Sequence, residues 1–290
     1  MPKVNRFDRS CELAAGFFPN ASSFPAVKIF DCLLVTGASS GLGEEFARQL
    51  AHRCRTMVLV ARRGDLLSVL AAELTRRHGI VVHCFQADLA DVGQRLQLAA
   101  ALEEKSLVPD GLINNAGVGD YGTFADAEWP RMENMLRLNM EGLTHLTHLF
   151  LPKMIALSSG VVVNVSSIAS LVPIPDLAIY AATKAYVSSF SEALRIELRE
   201  HNISVLSVCP GPVHTGFGKA AARKEGEQIK GVREWFCIPK EQCVAESIQA
   251  MDMDRARIFP GFKVALVAAG ISLIPLALIR LIMAKRPRRV

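Results

Sequence analysis

The chain has 290 residues, half of them hydrophobic, with 33 basic and 28 acidic side chains and a net charge of +5. That length and apolar share are enough for one sizeable core, and α/β domains of this size are often single. Much of the charge excess sits in the last six residues, so nucleic-acid binding has no electrostatic footprint elsewhere.

Residues 1–29 precede the first strand pattern and carry Pro19 and Pro25. Their apolar patch, Leu13 to Phe18, is too short for a signal peptide, and the segment reads as an extension either packed on the core or loosely ordered. Cys32-Leu33-Leu34-Val35 is an apolar run of strand length, followed at once by Thr36-Gly37-Ala38-Ser39-Ser40-Gly41-Leu42-Gly43. Beyond it, Glu44 to His52 puts Phe46, Ala47 and Leu50 on one helical face. Strand, glycine-rich turn and helix together aim backbone N–H groups and a helix dipole at a pyrophosphate. The spacing is G-x-x-x-G-x-G, which differs from the general dinucleotide fingerprint.

Further apolar runs at 56–60, 80–85, 111–113, 160–165 and 203–208 alternate with helix-length segments. They predict an α/β fold, a Rossmann-type doubly wound parallel sheet with helices on both faces, spanning 30–261. Functional residues then belong at the carboxyl ends of the strands. The seven cysteines (11, 32, 54, 84, 209, 237, 243) form no C-x-x-C pair and are odd in number, which argues against a zinc or disulfide framework. Cys32, Cys84 and Cys209 fall inside strand-like runs, where a thiol behaves as a small hydrophobe. His145 and His148 are three apart on a helix pattern. Without an acid or thiol pattern nearby they read as helix surface or interface, and no metal site is expected.

Tyr180-Ala181-Ala182-Thr183-Lys184 sets a phenol and an ammonium four residues apart, on one face of a helix. A free phenol titrates near about pH 10, and a neighbouring cation lowers that by roughly one to three units. The pair is therefore suited to moving a proton during a carbonyl/alcohol interconversion.

With these residues in place the sequence resembles the short-chain dehydrogenase/reductase family, and other marks of that family follow in order. Asp88-Leu89 lies after the third strand run, Asn114-Asn115-Ala116-Gly117 after the fourth, and Asn139 stands between Leu138 and Met140. Ser166-Ser167 closes the run Val161–Val165, with Ser167 13 residues before Tyr180, and Pro210-Gly211-Pro212-Val213-His214-Thr215 closes the run 203–208. The resemblance implies an oxidoreductase acting on CH–OH or C=O groups, with Tyr180 as general acid/base and Ser167 holding the substrate oxygen. Lys184 would lower the tyrosine pKa and bond the nicotinamide ribose, and Asn139 would anchor a water that relays protons from Lys184. Gly37, Ser39, Ser40, Gly41, Leu42 and Gly43 would bind the cofactor. Asp88 and Leu89 would contact adenine, Asn115, Ala116 and Gly117 would line the cleft, and Pro210, Gly211, Val213 and Thr215 would approach the nicotinamide. A homodimer or homotetramer through 133–156 and 180–200 is expected on the same ground. The alternative is a catalytically idle dinucleotide-sensing or scaffold protein on the same fold.

The residue ending the second strand meets the adenosine ribose, where an acid would repel a 2′-phosphate. Here the sequence is Val60-Ala61-Arg62-Arg63. A guanidinium matches a phosphate dianion by charge and by its forked donors, so the cofactor is expected to be NADP(H), with Arg62 as the main partner and Arg63 and Ser39 beside it. The apolar loop Ile168–Pro175 follows Ser167 directly and is expected to line the substrate pocket, which points to a hydrophobic substrate. Lys219, Arg223, Lys224, Glu225 and Glu227 make the first half of 216–240, the family's flap, polar and exposed; Trp235 and Phe236 read either as a contact of that flap or as local core.

Residues 262–290 form an apolar segment with a basic end. Val264 to Ile279 is uncharged for sixteen residues, Arg280 interrupts, and Lys285-Arg286-Pro287-Arg288-Arg289 follows. A spanning helix needs about 20 predominantly apolar residues. Three roles are open to the segment: a helix closing the substrate pocket or packing against a second subunit, an interfacial membrane helix, or a span. The expectation is a cytoplasmic enzyme whose membrane association, if any, is peripheral, at the inner face, and dependent on 262–290.

Overall fold

The computed structural model describes residues 27–223 and 234–284. Expectations for 1–26, for Lys224, Glu225 and Glu227, and for the basic end beyond Ala284 lie outside the described residues.

Every strand pairing is parallel, in a seven-stranded sheet ordered β3-β2-β1-β4-β5-β6-β7. The strands are β1 (Phe30–Thr36), β2 (Cys54–Ala61), β3 (Val81–Gln86), β4 (Gly111–Asn114), β5 (Gly160–Val165), β6 (Ile203–Val208) and β7 (Arg257–Ile258). Central strands of such a sheet are covered on both faces, which is why they read as unbroken apolar runs. The period of two still sorts their side chains. Leu33, Val35, Met57 and Leu59 enter one core with α1 (Gly41–Leu50), α2 (Gly64–His78) and α8 (Lys240–Asp252). Leu34, Val58 and Val60 enter the other, with α3 (Val92–Glu104), α5 (Leu143–Leu157) and α6 (Ala178–Glu197).

Six strands fall on the six apolar runs. The seventh, two residues long and paired with Ser207 and Val208, is too short to leave a periodic trace. Cys84 departs from expectation: Cys32 and Cys209 are buried, but Cys84 is exposed. Its strand, β3, is the sheet edge, and half of its residues face solvent.

Strand order reverses between β1 and β4, and the crevice at their carboxyl ends is the switch point where such sheets take ligands. After β7 the chain passes Gly261, whose φ of +89° suits only glycine, into α9 (Phe262–Leu273) and, past Pro275, α10 (Leu276–Ala284). Helix α9 buries Val264 and Ala268; a Cβ added to Gly211 would lie 2.7 Å from Val264 Cγ2. The opposite side of α9 stays open, with Phe262 and Leu273 more than 80% exposed. Among the described residues, no helix is long and apolar enough to cross a membrane.

Candidate active site

The turn after β1 is built so that backbone lies bare. Gly37 and Gly41 have φ of +65° and +62°, a region that costs other residues strain. A Cβ on Gly43 would lie 2.4 Å from both the Gly37 carbonyl oxygen and Asn115 Nδ2. Thr36 staples this turn to the loop after β4: its Oγ1 accepts from the N–H groups of Asn115 (2.9 Å) and Ala116 (3.0 Å) and donates to the Ile113 carbonyl (3.1 Å). Asn115 Nδ2 donates to the Thr36 carbonyl at 2.9 Å, so its side chain braces the turn. Sequence reading had placed Asn115 along the cleft without this role.

The two arginines after β2 behave differently. Arg63 lies over the turn, donating from Nη2 to Ser39 Oγ (3.0 Å) and Ser40 Oγ (2.7 Å). Arg62, expected as the main phosphate partner, is exposed like Arg63 but makes no hydrogen bond or ion pair among the described residues. Leu89 is buried and Asp88 half-buried, the latter capping its own loop by accepting from Ala90 N at 3.0 Å. The fully buried Arg95 of α3 holds this loop through the Leu89 carbonyl (2.8 Å), and also bonds Glu141 and His145 Nδ1 (3.0 Å). His145 is thus part of an internal brace.

Asn139 lies in a π-helical turn, Arg137–Gly142, between α4 (Trp129–Leu136) and α5. Such turns often mark functional positions, and this one leaves no periodic trace in the residue pattern. Its side chain is nearly fully buried and fully used: Oδ1 accepts from Val118 N (2.9 Å), and Nδ2 donates to the Val118 carbonyl (2.9 Å) and Thr183 Oγ1 (3.1 Å). It fixes the loop beyond Gly117 against α6. A Cβ on Gly117 would lie 3.2 Å from Asn139 Oδ1 and 3.4 Å from Lys184 Nζ, so these three positions meet.

Tyr180, Ser167 and Lys184 converge. Lys184 Nζ stands 5.9 Å from the Tyr180 ring centroid and donates to the Val165 carbonyl at 2.9 Å. Burial pushes the phenol up to about 12, opposed by its hydrogen bond with Ser167, and pushes the Lys184 ammonium down to about 8. This differs from the expectation that the lysine lowers the phenol: with protein groups alone, burial is the largest influence on both. Ser167 Oγ accepts from Ala169 N (3.1 Å) and donates to the Pro210 carbonyl (3.5 Å). Thr215 sits across from the turn, its Cβ 3.6 Å from where a Gly41 Cβ would be. Val213 pairs with Ile238, and Gly211 packs on α9.

The loop after Ser167 lines an apolar cavity of about 620 Å³ with Ala181, Ala185, Arg280 and Ala284, and neither Ser167, Tyr180 nor Lys184 reaches it. The alanines occupy a different face of α6 from the Tyr180–Lys184 pair, so the expectation that this loop lines the same pocket as the phenol is corrected. What adjoins Tyr180 is Phe217, the first residue of α7 (Phe217–Ala221), with ring centroids 5.6 Å apart. Arg223, expected to be exposed, is instead paired with the buried Asp120. Trp235 and Phe236 touch edge to face, with Lys263 Nζ 5.3 Å from the Trp235 ring centroid.

A family model described as short chain dehydrogenase matches residues 31–226. A very-long-chain 3-oxoacyl-CoA reductase of Anas platyrhynchos is 33% identical over 64% of this chain and 61% of its own length. The chain thus matches less than two thirds of that relative. Sulfoacetaldehyde reductase 2 of Chromohalobacter salexigens is 34% identical over 68% of this chain and 78% of its own. Among solved structures, a short-chain dehydrogenase from Sphingobium yanoikuyae in complex with NADPH is 28% identical with a TM-score of 0.75, covering 90% of this chain and 97% of that one.

Proposed function

The chain belongs to the short-chain dehydrogenase family, and from that premise we propose that it transfers a hydride between NADP(H) and a carbonyl or secondary alcohol, with Phe217 beside the phenol favouring a hydrophobic small molecule. The observation that carries this reading is the meeting of Tyr180, Ser167 and Lys184 beside a glycine turn overlain by Arg63. The turn fits a dinucleotide: its glycines leave room that a Cβ would fill, and Arg63 offers a forked cation at the 2′ side. NADPH was bound in the Sphingobium relative. The cofactor, when bound, supplies the hydride. Ser167 orients the substrate oxygen towards the phenol, and Tyr180 delivers its proton to that oxygen, or takes one in the reverse direction. A phenol raised by burial is fully protonated at neutral pH, which suits reduction. Lys184, held by the Val165 carbonyl, would bond the nicotinamide ribose, and Asn139 fixes the floor beneath it. Purified protein should consume NADPH with a ketone or aldehyde; binding of NADPH without turnover across a carbonyl panel would favour the idle alternative. Strong preference for polyhydroxylated carbonyls would defeat the hydrophobic assignment.

We also propose that the enzyme rests on a membrane surface through α9 and α10. Phe262, Leu266, Leu273, Leu278 and Leu281 are exposed on helices too short to span, with Lys263 and Arg280 beside them. Exposed apolar side chains on helices too short to span lose contact with water at the headgroup boundary, and the flanking cations favour anionic lipids there. Flotation with phosphatidylserine-containing vesicles should carry the full chain but not one ending at Gly261. Equal behaviour of the two would overturn it, and retention after carbonate washing would instead point to a span.

A further inference from the structure

Asp120, on the loop after β4, is 6% exposed. A buried carboxylate persists only when paired and hydrogen-bonded. Two guanidinium groups converge on it. Arg223 donates from Nε to both carboxylate oxygens at 3.1 Å and from Nη2 to Oδ2. Arg131, in the first turn of α4, brings Nε to 2.6 Å from Oδ1. The remaining donors tie down backbone: Arg223 Nη1 reaches the Thr123 carbonyl at 2.9 Å, and Arg131 Nη2 the carbonyls of Ala220, Ala221 and Ala222 at 3.0, 3.0 and 3.1 Å. Tyr121 N adds a bond to the Ala221 carbonyl at 2.9 Å. The end of α7 is thereby fastened to 120–123, and its start carries Phe217, whose ring tilts 49° against that of Tyr180. Close approach on the other side is also built in, since a Cβ on Gly119 would lie 2.9 Å from Phe217 Cζ and 3.1 Å from Ala221 Cβ. Phe217 is 37% exposed, so it borders open space as well as the phenol.

We propose that Asp120 is a positioning residue that clamps α7 through Arg131 and Arg223, and that Phe217, so held, limits the bulk of the carbonyl that reaches Tyr180. The proposal rests on the reading of Tyr180 as the proton donor. Removing the charge of Asp120 leaves two facing cations without their counter-ion, which opens the clamp rather than merely loosening it.

The test is a double-mutant cycle read as substrate selectivity. The values of kcat/KM for cyclohexanone and for benzophenone are measured with NADPH in the wild type, Phe217→Ala, Asp120→Asn and the double variant. Each single variant should raise the benzophenone-to-cyclohexanone ratio by about tenfold, the scale of a pocket changed by a few carbons, and the double variant should go no further. A merely structural Asp120 would depress both substrates alike and leave the ratio unmoved. An unchanged ratio in Phe217→Ala, or ratios that multiply in the double variant, overturns the proposal. Arg223→Lys, which keeps the charge but loses the fork, should shift the ratio in the same direction, and it replaces Asp120→Asn if that variant does not fold. Tryptic cleavage after Lys219 gives a readout free of turnover: it should be about tenfold faster in Asp120→Asn, with NADPH affinity by fluorescence unchanged. If the wild type reduces neither ketone, the ratio is read on two carbonyls of different bulk from the wider panel; if none is reduced, the assigned activity fails and the cleavage rate alone decides the clamp, an unchanged rate overturning it.

Discussion

Around Gly37–Gly43 the site is made of backbone drawn from one short stretch of chain, whereas around Tyr180 and Phe217 it is made of side chains drawn together from distant ones. The turn depends on glycines, a β1 threonine and the asparagine that follows β4. The phenol's surroundings depend on Ser167, on a π-helical turn, and on a clamp whose members, Asp120 and Arg223, are 103 residues apart. The first half recognises a ligand of fixed shape through geometry that tolerates little change. The second is held by replaceable side-chain pairs, which suits a surface that varies with substrate.

If the two halves are separable, removing the proton donor should leave dinucleotide binding intact. Tyr180→Phe is expected to lower kcat by about 10²- to 10⁴-fold, the usual worth of a positioned acid, with NADPH affinity by fluorescence titration within about twofold. Parallel loss of both would mean that the phenol also holds the cofactor, and the contrast would collapse.

The next largest effect sharpens the contrast on the cofactor side. Arg63→Ala removes a guanidinium that lies over Ser39 and Ser40, and it should weaken NADPH binding by about ten- to a hundred-fold, or roughly 1.5–3 kcal/mol. NADH should hardly be affected. Arg62→Ala, which alters an exposed side chain without partners among the described residues, should do much less. Calorimetric titration of both cofactors against both variants decides between two neighbours that spacing alone cannot separate, the expectation from sequence having favoured Arg62.

That inability has a physical cause. The strand runs, the glycine turn and the Tyr180–Lys184 helix face were legible because each follows from spacing within a few residues. Which of two adjacent exposed arginines lies over the glycine turn depends on the path of the chain leaving β2, which composition does not encode. The Arg223–Asp120 pair, the π-helical turn at Asn139 and the two-residue strand β7 depend on contacts between distant segments or leave no periodic signal. The phenol's upward shift escapes the sequence for the same reason: its largest cause is burial, which is a property of the fold.

The lysine's own shift provides a pH test of the catalytic half. Burial lowers Lys184 from the ordinary lysine range to about 8, so its charge is present below that pH and lost above it. The phenol, raised to about 12, stays protonated throughout this window and does not mask the change. Values of kcat/KM for NADPH, which report the free enzyme, should therefore be flat below pH 8 and fall by about tenfold per unit above it. A flat profile up to pH 10 would show that the ammonium keeps its proton despite burial.

The smallest expected effect concerns the sheet that carries both halves. Cys32 and Cys84 occupy apolar runs of similar appearance, yet one lies on central β1 and is 5% exposed, while the other lies on edge strand β3 and faces solvent. Burial pushes the Cys32 thiol up to about 12, the mark of an environment hostile to charge. Cys32→Ser would place a hydroxyl there without an assured partner, at a cost of about 1–3 kcal/mol. Cys84→Ser exchanges one exposed polar atom for another and should stay within about 0.5 kcal/mol of the parent. Urea denaturation of both variants measures the difference. Equal losses would mean that the edge of the sheet is covered in solution, by a second copy of the chain or another partner, and that strand position as well as site chemistry must be judged on the assembled protein.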